Sequence, residues 1–457
     1  MILSLRQNHP ITVESSFVFL NLLSGFILIK RPIAVDVFSG VGGLSLGLEQ
    51  AGFDVVASVE IDPIHSCVHQ YNFPNCAVLP NSINNVSGQN IRDAACLSDT
   101  VKIDLVAGGA PCQGFSLIGK RALDDPRNQL VKEYIRIVKE LQPSYFLFEN
   151  VKGLTVGKHK MFLEEIIKEL ESIGYQVLTP WKVLNAKDYG VPQSRERLFL
   201  IGAKKGVPLP EYPEQGNEKS VSCEQALGDL PNAEDFEELM KSDEVEFKYT
   251  KKASDYSALM RCINDDGWRL GYKREWDKSR LTSSLRTEHT EISRRRFAET
   301  SPGKIEKISR FFKLSKYGVC NTLRAGTDSS RGAFTSPRPI HYEYPRCITV
   351  REMARLHGFP DWFRFHETKW HGARQIGNAV PPPLAYALGR QLMNIISPNL
   401  KRPNEVLVLG DDNLLRMDMS SASKYWSIEN PIAKRDRKSG NKKRKQSEIE
   451  ALRISNG

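Results

Sequence analysis

Between residues 32 and 203, short apolar runs alternate with helical segments, and few folds accommodate that rhythm. The apolar runs cover 33–38, 55–60, 103–107, 145–149, 175–183 and 198–203. The helical segments cover 44–51, 63–71, 130–141 and 161–173. In the last of them apolar side chains fall at 162, 166, 167, 170 and 173, the period of one helix face. Strands separated by helices predict an α/β fold with a doubly wound, mostly parallel, Rossmann-like sheet. Such sheets bind ligands beyond the carboxyl ends of their strands, so the chemistry is expected there.

The texture changes after Gly202. Residues 206–247 are rich in Pro, Glu and Asn, and 248–345 show no clean period. This predicts an inserted, irregular second domain over 206–345, inside a catalytic and cofactor-binding domain formed by 32–205 and 346–400. Order returns at Thr349, where Thr349-Val-Arg-Glu352 has a capping-box pattern and Met353, Leu356 and Phe359 follow on one face. Residues 375–396 read as a polar loop, a proline run at 381–383 and an apolar helix. Residues 401–457 read as a basic tail expected to be disordered. Residues 1–31 read as an N-terminal extension. Its apolar stretch at 17–29 is too short for a membrane span, and no small-residue cleavage pattern follows it.

Charge is segregated. Residues 211–247 hold 2 basic and 12 acidic residues, 248–340 hold 21 and 10, and 424–457 hold 10 and 4. A basic middle and tail on a near-neutral body point to a polyanionic partner, most simply nucleic acid. The 8 cysteines contain no C-x-x-C pair, which argues against a disulfide scaffold or a paired-cysteine zinc site, and no metal ligands are assigned. Scattered thiols suit a reducing cytoplasm.

Four blocks carry chemistry. Asp36-Val-Phe38-Ser-Gly40-Val-Gly42-Gly43 follows a strand and precedes a helix, and Glu60 ends the next strand. Ser45 breaks the G-x-G-x-x-G pattern, which disfavours a pyrophosphate cofactor. A Gly-rich turn with an acid at the following strand end suits an adenosine cofactor such as S-adenosylmethionine. The plain alternative is a tight strand–helix turn with a solvated Glu. Gly108-Gly-Ala-Pro111-Cys112-Gln-Gly114-Phe-Ser116 places Cys112 on a loop past a strand end, where a thiol can act as a nucleophile. The other seven cysteines read as buried and structural. Phe148-Glu149-Asn150-Val151 puts an acid at the mouth of the sheet, either as a proton carrier or as a helix cap. Gln193-Ser-Arg195-Glu-Arg197 sets two guanidiniums on one side of a strand, suited to a phosphate or carbonyl oxygen unless this is merely a solvated edge.

In order and spacing these blocks resemble those of the DNA (cytosine-5)-methyltransferases of bacterial restriction–modification type. Arg351–Phe359 with Pro360, and Arg374-Gln-Ile-Gly377-Asn378-Ala-Val380-Pro381, extend the resemblance over about residues 32–396. The resemblance implies that Cys112 adds to C6 of a flipped-out cytosine, Glu149 engages N3, Arg197 holds the O2 carbonyl and Arg195 orders the site. It places Phe38, Gly40, Gly42, Gly43, Glu60, Ile61, Asn378 and Val380 around S-adenosylmethionine. Asn81-Ser82 stand where many members have an Asp reaching the cofactor's adenine, and Ala379 where many have Ser. The implied substrate is double-stranded DNA, with 206–345 as the target-recognition domain and Arg294–Arg296, Arg324, Arg331 and Arg338 as candidate contacts. A monomer without membrane contact is expected, with a cognate restriction endonuclease acting on the same site. An RNA methyltransferase of the same superfamily and a non-catalytic DNA-binding relative are the alternatives. The basic insertion speaks against the first, and the intact Cys112, Glu149, Arg195 and Arg197 set against the second.

Overall fold

The computed structural model describes residues 31–111, 128–157, 159–216, 220–326 and 337–430. The extension over 1–30, Cys112, Arg331 and the tail beyond 430 lie outside them. The first strand, β1 (Ile33–Val37), leads into α1 (Gly43–Ala51), then β2 (Asp54–Val59), α2 (Pro63–Asn72), β3 (Ala77–Leu79), α3 (Gly88–Ala94) and β4 (Leu105–Gly108). After these come α4 (Gln129–Leu141), β5 (Tyr145–Val151), α5 (His159–Ser172), β6 (Tyr175–Val177), β7 (Lys182–Asn185) and β8 (Glu196–Lys204).

The sheet runs β3-β2-β1-β4-β5-β8-β6, with β7 also paired to β8. The pairings from β3 through β5 are parallel. Those of β8 with β5, β6 and β7 are antiparallel. The expected run at 175–183 therefore divides into two short strands, both laid against the long β8. The link from β7 to β8 is too short for a crossover, which leaves antiparallel pairing as the geometry it can make. The short β3 and α3 are not foreshadowed by a clear period.

Successive side chains of a strand face opposite sides, and two cores follow. One contains Ile33, Val35 and Val37 of β1, Phe146 and Phe148 of β5 and Leu198 and Leu200 of β8, covered by residues of α4 and α5 such as Val131, Val138, Leu163 and Ile166. The other contains Ala34, Tyr145, Leu147, Phe199, Ile201 and Ala203, together with residues from far downstream.

The downstream elements are α6 (Cys223–Leu227), β9 (Val245–Glu246), α7 (Asp255–Met260), β10 (Lys273–Glu275), β11 (Arg280–Leu281) and α8 (Glu291–Glu299). Then follow α9 (Val350–His357), α10 (Lys369–Asn378), α11 (Pro382–Ile396), β12 (Val406–Val408) and α12 (Met419–Tyr425). The capping box at the start of α9 forms as expected, Thr349 and Glu352 bonding each other's backbone N–H. The loop expected near 375 is instead the end of α10. The helix α11 lies against α1 through small residues: a Cβ on Gly389 would stand 2.7 Å from that of Ala51, and one on Gly47 would meet Ala385.

Two boundaries differ from expectation. Residues 401–430 are not a loose tail: β12 pairs with β10, and Trp426 after α12 donates its indole N–H to Pro63 O at the head of α2. Within 206–345, the stretch around β10 joins the catalytic body. Arg274 forms a bidentate pair with Glu49 of α1 at 2.7 and 2.9 Å, and Tyr272 donates its hydroxyl to Asp54 at 2.9 Å. Buried apolar side chains such as Tyr256, Trp268 and Leu281 anchor the segment in the same core. Composition showed where the pattern changed but not where the chain came back to the sheet.

Candidate active site

β4 and β5 pair so that Gly108 stands opposite Phe148, which brings the loop after β4 alongside Glu149. A Cβ on Gly109 would lie 2.6 Å from Glu149 Oε2, so a side chain here would have to push the carboxylate from its present position. Asn150 donates its side-chain amide to Ala110 O at 2.9 Å and ties the loop to the strand end. The loop is described as far as Pro111, which is exposed; the expected nucleophile Cys112 is the next residue and lies outside the described residues.

Val151 pairs with Arg197 across β5 and β8, so Arg197 is the diagonal neighbour of Glu149 on the same side. Its Nε lies 3.0 Å from Glu149 Oε1, with both side chains largely buried. Burial raises the carboxyl's pKa above the ordinary value, against the pull of Arg197 and Arg195. The site thus holds a carboxyl prepared to carry a proton and a guanidinium 3.0 Å away from it.

Arg195 takes another role. It lies just before β8 and is 2 % exposed. Its guanidinium donates to Leu323 O at 3.1 Å and Gly377 O at 3.0 Å. Burial first, then the neighbouring Arg197, depresses its pKa to about 9. Gln193 is the residue that sequence reading quoted but left without a role. Its amide nitrogen donates to Leu356 O and to His357 Nδ1, and its carbonyl accepts from Leu323 N. His357, held neutral by burial and by Arg195, has its proton on Nε2 and donates it to Ala379 O at 3.0 Å. One short segment therefore straps β8 to residues 323, 356–357 and 377–379. The block's position beside a strand start was the available signal, but partners 128 to 182 residues away are invisible to local pattern.

The turn after β1 is unusual in its backbone. Phe38, Gly40 and Gly42 all have positive φ, at 62°, 56° and 95°. For Phe38 this is a strained conformation, held by its surroundings. Glu60 closes the turn: Gly40 N donates to its Oε2 at 2.8 Å and Asp62 N to its Oε1 at 2.9 Å. Burial raises the Glu60 carboxyl's pKa. Ile61, next in sequence, is 56 % exposed, and the space beside Gly40 is open. Gly43 presses on the Val380 carbonyl and the Ala379 side chain, bringing the 378–380 turn to the same place, with Asn378 exposed. Below the turn Asp36 accepts from Ser45 Oγ at 2.6 Å, and Ser45 is 3.1 Å from His69 Nε2. This buried chain, which sequence reading missed, seats α1 against α2.

These groups suit an adenosine cofactor. A desolvated carboxylate accepts from ribose hydroxyls, an exposed apolar side chain offers a face to a base, and Ser39 Oγ is buried without a partner among the described residues. Asn81 and Ser82, at the end of β3, engage neighbouring groups: Asn81 accepts from Asn85 Nδ2, and Ser82 caps Asn84 N.

The expected DNA-contacting arginines separate into two groups. Arg338 is buried, donating to Ile348 O at 2.9 Å and Thr287 Oγ1 at 2.6 Å, and cannot reach a phosphate. Arg294 pairs with Glu234, and Arg296 lies 3.5 Å from Glu306. Arg295 and Arg324 are exposed. Of the cysteines expected to be buried, Cys96 is exposed and the other described ones are buried. Among the described residues no group of His, Cys, Asp and Glu is placed to hold a metal ion, and no helix is long and apolar enough to cross a membrane.

A model of the C-5 cytosine-specific DNA methylases matches residues 34–394. The chain is 57 % identical over 408 residues to Type II methyltransferase M.XorII of Xanthomonas oryzae pv. oryzae, covering 89 % of this chain and 95 % of that one. It is 35 % identical to Type II methyltransferase M1.HphI of Haemophilus parahaemolyticus over 365 residues, covering 79 % and 86 %. A solved structure described as a DNA modification methyltransferase encoded within a prophage (E. coli) superposes with a TM-score of 0.65 at 34 % identity, covering 80 % of this chain and 99 % of the other.

Proposed function

The chain belongs to the C-5 cytosine-specific DNA methylase family, and from that premise we propose how its residues divide the reaction. The protein is a DNA cytosine-5 methyltransferase. The cofactor is S-adenosylmethionine, with Glu60 on the ribose, Ile61 on the adenine, and Phe38, Gly40, Gly42, Gly43, Asn378 and Val380 lining the rest of its pocket. When bound it supplies an electrophilic methyl group on a sulfonium.

Cytosine C5 is a weak nucleophile, and this chain's residues make it a stronger one. The target atom is inaccessible in a duplex, so the base is flipped into the site. The Cys112 thiolate forms a bond to C6. Glu149 delivers its proton to N3, and the C5–C6 electrons become available as an enamine. Arg197 holds the O2 carbonyl while Arg195 keeps the strap behind it in register. Once C5 carries the methyl, a base takes its hydrogen as a proton, the C–H electrons restore the C5–C6 double bond as the Cys112–C6 bond breaks to release the thiolate, and N3 returns its proton to Glu149. The observation that carries this reading is the buried Glu149–Arg197 pair, held against the loop that leads into Cys112.

Target recognition falls to 206–345, anchored through the stretch around β10 and presenting exposed cations such as Arg295 and Arg324. The enzyme acts as a monomer in a bacterial cytoplasm and protects sites from a cognate restriction endonuclease. The test is a duplex containing 5-fluorocytosine, incubated with cofactor. Fluorine blocks proton loss, so wild type leaves a covalent complex that survives a denaturing gel and Cys112→Ala leaves none. A complex with Cys112→Ala would overturn the assignment.

A further inference from the structure

A buried carboxylate that accepts from ribose hydroxyls must stay ionised and keep its oxygens aimed. Gly40 N and Asp62 N fix the Glu60 oxygens from the backbone. A side chain joins them. His65 Nδ1 lies 3.8 Å from Glu60 Oε1, and Nε2 of the same ring lies 3.7 Å from Asp62 Oδ2. Both distances exceed a hydrogen bond, so the ring acts on the two acids electrostatically. It is 4 % exposed and stands between two carboxylates, one facing each of its nitrogens.

Its position in the chain makes this placement unusual. Asp62 caps α2, its Oδ1 accepting from Ile64 N at 2.9 Å and His65 N at 3.3 Å. His65 is therefore the third residue of the helix, where a Glu or Gln commonly reaches back to the cap. The first turn of a helix also favours anions over cations. A histidine there runs against helix preference, and what it faces instead is the pair of acids that precede it.

The electrostatics agree. Burial pushes the Glu60 carboxyl's pKa up, and His65 is the strongest of the groups that pull it back. Burial also opposes the ionisation of Asp62, yet the His65 ring and the His65 N–H hold its pKa below the ordinary value, with help from His371 of α10. Burial, then His366 and His65, push His371 itself down to about 3, so it stands there neutral. α10 ends at Asn378. His65 thus sits where two walls of the cofactor pocket meet, the acid at the end of β2 and the helix that leads into the 378–380 turn.

We propose that His65 is a positioning residue of the cofactor site, holding the Glu60 carboxylate in place for the ribose hydroxyls and so setting cofactor affinity without touching the reacting atoms. The proposal rests on the reading of Glu60 as the ribose acceptor. A ring that merely packed α2 would affect ligands with and without those hydroxyls alike.

The test is calorimetric titration of the full chain with S-adenosylhomocysteine and with its 2′,3′-dideoxyribose analogue, which lacks both hydroxyls. His65→Leu should weaken the first ligand about tenfold, within the usual range of coupling between neighbouring groups, and the analogue less than about twofold. Glu60→Gln should weaken the first ligand selectively as well, and adding His65→Leu to it should cost less than about twofold more, because the group that His65 acts on is gone. Equal weakening of both ligands by His65→Leu, or no weakening, would overturn the proposal, as would an undiminished loss in the Glu60→Gln background. If Glu60→Gln binds S-adenosylhomocysteine as tightly as wild type, the ribose reading fails and the proposal falls with it. If His65→Leu does not fold, His65→Gln replaces it in the same comparison: its one N–H can serve only one of the two acids, so a selective loss of about threefold or more supports the proposal and none overturns it.

Discussion

The two faces of the central sheet are built on different principles. The face under α4 and α5 is apolar, and these are the next helices in the chain after β4 and β5. The face under α1, α2 and α11 gathers chain from as far away as residue 422 and is laced with buried charge. There Arg355 bonds Asp361 at 2.5 and 2.6 Å and Asp229 at 3.2 Å. Arg346 grips Glu352 at 2.8 and 2.9 Å, and Arg274 grips Glu49. Strand alternation puts Asp36, Glu149 and Arg197 on this second side as well, in phase with Ala34, Leu147 and Phe199. Apolar packing tolerates small shifts, whereas a bidentate ion pair has one good geometry. The face that must hold remote segments in register to build a site is the one that uses directional bonds.

The largest effect should come from the site itself. Glu149→Gln is expected to lower kcat by roughly 10²–10⁴-fold, the usual range for a lost proton carrier, with cofactor affinity little changed. Single-turnover methylation with labelled cofactor measures it, and activity within twofold of wild type would remove Glu149 from the reaction. Next is Arg355→Met, which takes the bidentate partner from buried Asp361, leaving it Tyr249 and the more distant Arg351, and leaves Asp229 with Arg261 at 3.4 Å. A loss of about 3–5 kcal/mol in urea unfolding is expected. A loss below 1 kcal/mol would show that the polar face does not depend on its ion pairs.

Leu163→Ala sharpens the contrast from the other side. It opens a cavity in the apolar face and should cost about 2–5 kcal/mol. Below its unfolding temperature it should retain wild-type kcat and the wild-type target sequence. Altered site choice would show that the two faces are coupled.

The smallest effect is one of pH. Burial raises the Asp36 carboxyl's pKa to about 7, against the lowering effect of its bond from Ser45. The folded state therefore holds a proton that the unfolded chain releases near pH 4, so Asp36 makes stability fall as pH rises from about 4 to 7. Glu352 acts in the opposite sense. Burial opposes its ionisation, yet Arg346, His341 and the Thr349 N–H hold its pKa down to about 2, so its contribution is lost as pH falls from about 4.5 to 2. Asp36→Asn should flatten the slope between pH 4 and 7 and leave the acid limb unchanged. Unfolding measured across that range would refute the assignment if the slope persisted.

Legibility from sequence follows the same division. The apolar face could be read because α4 and α5 repeat apolar residues every three to four positions, next to the strands they cover. The chemistry blocks could be read because each sits at a strand end. What escaped was every feature whose partner is remote. In the 351–359 block, Met353 and Leu356 were seen as a core stripe, but Arg351, Glu352, Arg355 and His357 beside them are also buried. Charged side chains in a helix normally imply solvent, and nothing local reveals that Thr282 or Asp229 receives them. Arg338 was misassigned to DNA for the same reason. Gln193 carries no role in the sequence reading and Arg195 is expected there to order the site; the remote bonds that make both of them a strap behind it are what the block's position does not reveal.

The seam between α1 and α11 has a consequence for how the protein is made. Arg390 reaches Ala51 across 339 residues of chain. At ~5–20 residues per second, α1 leaves the ribosome roughly 20–70 s before its partner exists. During that interval Leu44 and Leu48, buried in the finished protein, have no α11 to cover them. Nascent chains stalled before residue 382 should therefore hold chaperones that chains released past residue 396 do not, which makes the last catalytic helix the signal that synthesis can let go.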